Sequence, residues 1–350
     1  MIELLNSNYQ PLKTSFKKFS DVFFDLLVNR SSSTRIASGY ISEESIADLI
    51  NLYETGYNKT FDLIIGMHYF EGFSYGQYYA LMRLNEILSS KNLGGIYIST
   101  LMKYHGKVYS FCENGKYISI IGSSNLTKIS ITKENSAERV YDTDLYINDE
   151  PAAADINNFI IDLQNKFCTN LNNIQFEKIK IIEPDNLFKD YLSVEKVSLD
   201  NIKDKLTDIS FVIPLKTEKK SNLNVYFGKG RQNFSNGSIL PRDWYEVEII
   251  VPSKTTEKNN YPKNQQFYVI TDDGYKFEYK TSGDYSKNFR SASDLKILGR
   301  WIKGRMENRR VLKICEKVTE EVLTNYGSHV IHLTKMKIPN TWYLDFGGNK

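Results

Sequence analysis

The sequence predicts a mixed α/β sandwich followed by a mostly β barrel or pseudobarrel. Three observations carry that expectation. Over residues 1–170, helical and strand patterns alternate, as they do where helices cover a sheet. Beyond residue 200 the chain turns to short strands punctuated by Gly, Asn and Pro. The charge changes sign with the texture. Residues 1–175 hold 15 Lys and Arg against 19 Asp and Glu, a net −4, whereas residues 176–350 hold 30 against 23, a net +7.

Residues 19–28 (FSDVFFDLLV) carry apolar side chains at helical spacing, and residues 34–41 (TRIASGYI) alternate like a strand. Ser42 before Glu43 and Glu44 is an N-cap with acids in the first turn, opening a helix through residue 52. Residues 61–66 (FDLIIG) read as a short buried strand, 75–89 as a helix and 95–99 (GIYIS) as a strand. A hairpin follows, then a strand over 140–147 and a helix over 152–168. Residues 173–200, with Pro184, read as a linker between a first domain at 1–172 and a second at 201–350. In the second, strands are expected over 209–215, 223–227, 244–251, 266–271, 275–281 and 341–346, and helices over 295–305 and 316–325.

The chemistry concentrates on the hairpin. His105-Gly106-Lys107 precedes the β-branched and aromatic run 108–112, the turn Glu113-Asn114-Gly115-Lys116, the run 117–121 and Gly122-Ser123-Ser124-Asn125. Asn-Gly is the preferred pair for a type I′ turn. Side chains two apart on a strand share a face, so His105 and Lys107 point the same way. The returning strand brings Ser123 to Asn125 back toward them. An imidazole, an ammonium, hydroxyls and an amide together suit a phosphate. An exposed strand with an incidental histidine is the competing reading, and spacing alone does not separate the two.

His-x-Lys followed by Gly-Ser-x-Asn resembles the active-site signature of the phospholipase D superfamily, whose nuclease members carry one copy per chain. Glu138, in Asn135-Ser136-Ala137-Glu138, lies thirteen residues past Asn125, where those nucleases place an Asn/Ser-rich turn and a Glu. One departure stands out: the commonest signature has an Asp five residues after the Lys, and Cys112 occupies that position here. The resemblance implies the α/β sandwich of that superfamily, with His105, Lys107, Ser123, Asn125 and Glu138 as catalytic residues. In it His105 attacks phosphorus, Lys107 and Asn125 stabilise charge on the non-bridging oxygens, and Glu138 holds the imidazole tautomer. Phosphodiesterases of this kind use two such motifs, one His forming a phosphohistidine and the other protonating the leaving oxygen. His68, His329 and His332 are not followed by Lys two residues on. The resemblance therefore implies a homodimer through the first domain, with one composite site and no metal or catalytic cofactor.

The basic second half is the expected grip on a polyanion. Lys229, Arg231, Gln232, Asn233, Ser235 and Asn236 lie in a Gly-bounded segment ahead of Leu240-Pro241-Arg242-Asp243-Trp244. Tyr285, Ser286, Lys287, Asn288 and Arg290 form a second segment. Arg, Gln and Asn pair bidentately with base edges, and glycine lets backbone approach phosphate. Each segment alone also reads as a polar surface loop. The order of strand, basic arm, Leu-Pro-x-x-Trp, strands, second arm and helix resembles the pseudobarrel shared by plant B-three transcription factors and certain restriction endonucleases. In that fold two arms enter the major groove of double-stranded DNA. The whole chain is then similar to the BfiI/NgoFVII-type restriction endonucleases, which implies site-specific, metal-independent DNA cleavage.

Other classes are disfavoured. No run of about 18 apolar residues exists to cross a membrane. The N-terminus lacks a signal peptide, and Cys112, Cys168 and Cys315 are scattered, as expected of a reduced cytoplasmic protein. With no Walker motif, ATP dependence would enter only through a separate helicase or ATPase partner. Asp142 and Asp144, two apart, are candidates for Mg²⁺ but read better as a solvated strand edge, and His68 either borders the site or is structural. A phospholipase or phosphatidyl transferase, and a DNA-binding regulator that has lost catalysis, are the alternative functions. The single motif and basic second half argue against the first, and the intact His105, Lys107, Asn125 and Glu138 against the second.

Overall fold

The computed structural model describes residues 1–7, 12–127, 141–182, 187–188, 191, 193–232, 239–240 and 242–347, with backbone alone at 231–232 and 239–240. They form two compact units, Met1–Pro184 with Lys313–Cys315, and Asp185–Leu312 with Glu316–Lys350.

The first unit contains β1 (Ile2–Asn6), β2 (Lys17–Lys18), α1 (Phe19–Phe24), β3 (Ser33–Ser38), α2 (Glu43–Glu54), β4 (Thr60–Ile65), α3 (His68–Glu71) and β5 (Phe73–Ser74). It continues with α4 (Tyr75–Ser90), β6 (Gly94–Ser99), β7 (Lys107–Glu113), β8 (Lys116–Gly122), β9 (Thr143–Ile147), α5 (Glu150–Phe167), β10 (Cys168–Asn170) and β11 (Ile181–Ile182). Among the described residues nine strands form one sheet in the order β10-β6-β4-β3-β7-β8-β9-β1-β2, and β11 pairs with β5. Strands β3, β4 and β6 are parallel, while β7 is antiparallel to β3, and β8 and β9 continue antiparallel. One end of the sheet therefore gathers the C-terminal ends of β3, β4, β6 and β8 with the starts of β7 and β9.

Local chemistry accounts for the elements. Ser42 caps α2 by accepting the Ser45 N–H at 3.2 Å. Ser74 and Gln77 make a reciprocal capping box on α4. Asn114 and Gly115 both take positive φ, 51° and 80°, as a type I′ turn requires. Ala37, Ile64 and Val108, from three adjacent strands, pack with Tyr104 under Ile160 and Leu163 of α5. Burying each such branched aliphatic contributes about 1.5–3 kcal/mol. This is the α/β sandwich that the alternating pattern predicts.

The second unit contains β12 (Glu195–Lys196), β13 (Leu206–Pro214), β14 (Arg231–Gln232), β15 (Ile239–Leu240), β16 (Ile249–Ile250), α6 (Ser253–Thr256) and β17 (Gln266–Thr271). After these come β18 (Tyr275–Ser282), β19 (Asn288–Ser291), α7 (Leu295–Asn308), α8 (Glu320–Tyr326), β20 (Val330–Met336) and β21 (Thr341–Asp345). Its curled sheet runs β13-β20-β21-β17-β18-β19-β16, with β12 on β18. The mostly β second domain is thus present.

Three element assignments change. Residues 223–227 are not a strand but two 3₁₀ turns within Asn222–Phe227, and of 244–251 only Ile249–Ile250 pairs in the sheet. The reason is a shared aromatic core. Trp244 and Tyr245 donate to the two carboxylate oxygens of Glu307 on α7, both at 2.7 Å, and the Tyr226 ring meets Trp244 edge-on. These side chains bury toward the helix on successive residues, which a two-residue strand period forbids. The third change is β20, seven residues ending in Lys335 and Met336, whose alternation is hidden by polar residues on both faces.

Candidate active site

The site assembles at the gathered end of the first unit's sheet. Gly39 N–H donates to Gly106 O at 3.0 Å, carrying the β3–β7 ladder one step past Ser38 and Lys107. Gly66, just past β4, donates to Ser38 O at 3.0 Å and accepts from Tyr104 N–H at 3.1 Å. A Cβ on Gly66 would stand 1.8 Å from Tyr104 O, so only glycine lets the His105 loop lie this close to the strand ends.

His105 is exposed and Lys107 buried beside it. The Lys107 Nζ lies 3.1 Å from His105 Nε2 and also donates to His105 O at 2.5 Å. An ammonium has donors only, so Nε2 is the acceptor and the ring carries its proton on Nδ1. Burial pushes the Lys107 pKa below its usual value, and the nearby Asp142 carboxylate opposes that shift.

The Gly-Ser-Ser-Asn turn is held at every residue. Ser123, exposed, donates to Asp142 Oδ1 at 2.8 Å and accepts from Thr143 N–H at 3.0 Å. Ser124 is buried, its N–H and hydroxyl both donated to Asp144, at 3.0 and 2.6 Å, while its carbonyl accepts from Tyr109. Asn125 Oδ1 accepts the Tyr40 N–H at 3.2 Å, which makes Nδ2, a donor, the end of the amide not used in this contact. The sequence reads Asp142 and Asp144 as a solvated strand edge; Asp142 is half-buried just ahead of β9, and for Asp144 the structure corrects that reading. Asp144 is 1 % exposed, on a strand flanked by β8 and β1, because it pairs with Gly122 and must satisfy the buried Ser124. Burial raises its pKa, and the Ser124 hydrogen bonds lower it.

His68 stands behind the site. Its Nδ1 donates to Gly72 O at 2.9 Å, its Nε2 faces the Ile41 N–H at 3.4 Å, and its ring stacks on Phe73. Desolvation lowers its pKa, so it is a neutral buried strut. The Tyr40 ring meets His68 and His105 edge-on, each at 5.6 Å between centroids. Glu138 lies outside the described residues. Sequence reading misses Tyr40 and Gly39, and it places Asp144 at a solvated edge rather than in the support of the Ser124 turn. The one visible signal was Ser38-Gly39-Tyr40 at a strand end, since glycine there marks a close approach. Among the described residues no three His, Cys, Asp or Glu side chains cluster as metal ligands.

In the second unit β14 and β15 pair antiparallel, Arg231 with Leu240 and Gln232 with Ile239, on either side of residues 233–238 in the sequence. Lys229 is exposed beside it. Asn233, Ser235 and Asn236 lie outside the described residues, as do the side chains of Arg231 and Gln232. On the second arm Tyr285 is 78 % exposed and holds φ at +57°, an unusual value for an aromatic residue. Ser286 instead points inward, its hydroxyl accepting the Asn264 N–H. Lys287 lies 3.8 Å from Asp284, and Asn288 and Arg290 sit in β19. Arg290 Nε is buried without a hydrogen-bond partner among the described residues.

Residues 17–176 match the NgoFVII restriction endonuclease N-terminal PLD domain, and residues 201–337 the NgoFVII C-terminal B3-like DNA-binding domain. No curated protein sequence matches the chain. Among solved structures, the phospholipase D family member Nuc from Salmonella typhimurium aligns at 14% identity over 49% of this chain and 97% of its own, TM-score 0.33. NucT from Helicobacter pylori aligns at 14% identity over 43% and 89%, TM-score 0.31. Phosphatidylserine synthase from Haemophilus influenzae Rd KW20 aligns at 13% identity over 48% and 39%, TM-score 0.34. With a phospholipase D-type nuclease domain and a B3-like DNA-binding domain matched in succession, the chain belongs to the NgoFVII family of restriction endonucleases.

Proposed function

We propose that this nuclease hydrolyses DNA phosphodiesters at or near a short specific sequence, through a phosphohistidine formed in a homodimer and without a metal ion. The observation that carries the reading is the 3.1 Å approach of Lys107 Nζ to His105 Nε2, with Asn125 Oδ1 held by the Tyr40 N–H. The Nε2 lone pair attacks phosphorus, and Lys107 and Asn125 Nδ2 meet the charge on the non-bridging oxygens. The phosphorus–oxygen bond to the leaving group breaks, and that oxygen takes a proton from His105 of the partner subunit. The same imidazole, now neutral, removes a proton from water. The water oxygen then attacks phosphorus and frees His105. One chain holds one His-x-Lys, so the second imidazole must come from a second copy. Glu138 is assigned to orient the ring, and Ser123 to hold the turn through Asp142 and Thr143.

The exposed Tyr285 and the half-buried Lys287, Asn288 and Arg290, with Lys229, Arg231, Gln232, Asn233, Ser235 and Asn236 of the first arm, are assigned to double-stranded DNA. The free thiols of Cys112, Cys168 and Cys315 fit a cytoplasmic location. The test is plasmid cleavage with and without EDTA and ATP, beside His105→Ala and a liposome hydrolysis assay. Cleavage that survives EDTA, vanishes in His105→Ala and leaves lipid intact is expected. Loss on chelation overturns the metal-free route, and full activity from a monomer overturns the composite site. Cutting only in the presence of ATP and a helicase-type protein assigns the ATP to that partner.

A further inference from the structure

We infer that Tyr40 is a positioning residue of the active site, setting the His105 imidazole with its ring and the Asn125 amide with its backbone. The inference rests on the reading of His105 as nucleophile. Two independent contacts converge on this one residue. The ring meets His105 edge-on, 5.6 Å between centroids and 78° between planes, while Lys107 holds His105 through Nε2 and the carbonyl oxygen. The Lys107 contact fixes one nitrogen of this exposed ring, and an edge-to-face neighbour narrows the rotation that remains. The Tyr40 N–H donates to Asn125 Oδ1 at 3.2 Å, so the amide cannot present its oxygen to a phosphate without leaving a backbone donor unpaired.

Tyr40 is itself held from three sides. Its carbonyl accepts from Ser38 Oγ at 2.8 Å, and Ser38 Oγ accepts the Leu126 N–H at 3.1 Å, tying the strand end to the Asn125 turn. The next residue, Ile41, is bridged to Leu126 and faces His68 Nε2 with its N–H. The Tyr40 hydroxyl donates to Glu71 Oε2 at 2.9 Å, which aims it away from a proton-transfer role. Ahead of it, Gly39 leaves the room: a Cβ there would stand 3.2 Å from His105 Cα and 3.3 Å from Cδ2. The residue therefore acts through the ring and the backbone N–H, not through the phenol.

The test compares wild type, Tyr40→Phe, Tyr40→Leu and His105→Ala in the full-length protein. Single-turnover cleavage at saturating enzyme, DNA affinity, thermal unfolding and the imidazole proton NMR signals are measured together. With 4 histidines in the chain, the His105 signals are assigned by their loss in His105→Ala. Tyr40→Phe keeps the ring and stays within about threefold of wild type. Tyr40→Leu slows single-turnover cleavage about 10–100-fold, the scale of a misplaced reacting group, at unchanged DNA affinity. Its His105 proton signals lose the ring-current shift that Tyr40→Phe retains. A Tyr40→Leu rate equal to wild type overturns the inference, and so does a Tyr40→Phe variant as slow as Tyr40→Leu, which would make the hydroxyl the working group. A rate loss in Tyr40→Leu that follows a fall in melting temperature, with the His105 signals unmoved, also overturns it. Cleavage persisting in His105→Ala instead removes the nucleophile reading beneath it, whatever Tyr40 does.

Discussion

The Lys107 ammonium lies 3.1 Å from the Nε2 of His105. A group with three donors and no acceptor placed against a ring nitrogen selects the tautomer whose lone pair faces the site. In the proposed reaction the same cation follows the charge onto a phosphate oxygen as that lone pair attacks. Under the proposed mechanism the pair is a resting state of the nucleophile, and its protonation has a measurable signature.

Burial lowers the Lys107 pKa below 10.5, while Asp142 works to raise it. If Lys107 acts as proposed, catalysis needs the ammonium, so activity should be present below the Lys107 pKa and be lost as pH rises through it, earlier than for a free lysine. Asp142→Asn keeps an acceptor for Ser123 but removes the opposing charge. The alkaline limb of the cleavage rate should move to lower pH in that variant. An unmoved limb would assign it to another group.

Gly66→Ala and Gly39→Ala separate folding from positioning. The first drives a Cβ to 1.8 Å from a backbone oxygen, and should cost about 1–3 kcal/mol or more, read as a lower denaturant midpoint. The second meets His105 at 3.2–3.3 Å, which a shift of tenths of an ångström relieves. It should leave the midpoint nearly unchanged and slow cleavage about tenfold.

His68 supplies a pH dependence of stability. Its pKa is lowered in the fold by burial, so between that value and 6.5 the unfolded chain binds a proton that the folded one refuses. Stability from this site is complete above 6.5 and declines as pH falls below it. His68→Gln can reproduce one donor and one acceptor without titrating. The stability gap between wild type and His68→Gln should narrow from pH 7.5 to pH 5.5 in urea unfolding. A constant gap would show that the buried ring does not titrate this way.

Asp144→Ala leaves the Ser124 N–H and hydroxyl buried without partners, costing about 2–3 kcal/mol. Asp144→Asn keeps an acceptor for the N–H and should cost less than half as much. Cleavage should fall in both, more in Asp144→Ala, because the Asn125 turn hangs from this carboxylate. Equal stability of the two variants would refute the account.

On the DNA-binding unit, Lys287→Ala should weaken binding to all sequences alike and reduce the salt slope by about 1. Tyr285→Ala should weaken the specific complex more than the nonspecific one, since its ring is held out by a backbone conformation that costs about 1–3 kcal/mol. Binding titrations on cognate and scrambled duplexes at several salt concentrations measure both effects.

Much of this was legible in the chain itself. Asn114-Gly115 dictates a turn with two positive φ values, the period of two puts His105 and Lys107 on one face, and Ser42 and Ser74 announce helix starts. Those signals work because each depends on residues a few positions apart. Residues 223–227 and 244–251 misled because aromatic, β-branched runs look alike whether they pair in a sheet or bury against a helix.

Taken alone, the sequence determined the hairpin, its His-x-Lys and Gly-Ser-x-Asn pattern, the α/β and β-rich halves and their opposite charge. Only the tertiary structure decided that Tyr40 stands between His68 and His105, that Asp144 is buried under Ser124, and that Gly66 makes room for the His105 loop. Those contacts follow from strand order: β3 lies between β4 and β7, which brings residues 38–41, 66–68 and 104–107 together at one sheet end. A linear pattern encodes the period of each strand, but the neighbour a strand takes is chosen by the packing of the whole sheet.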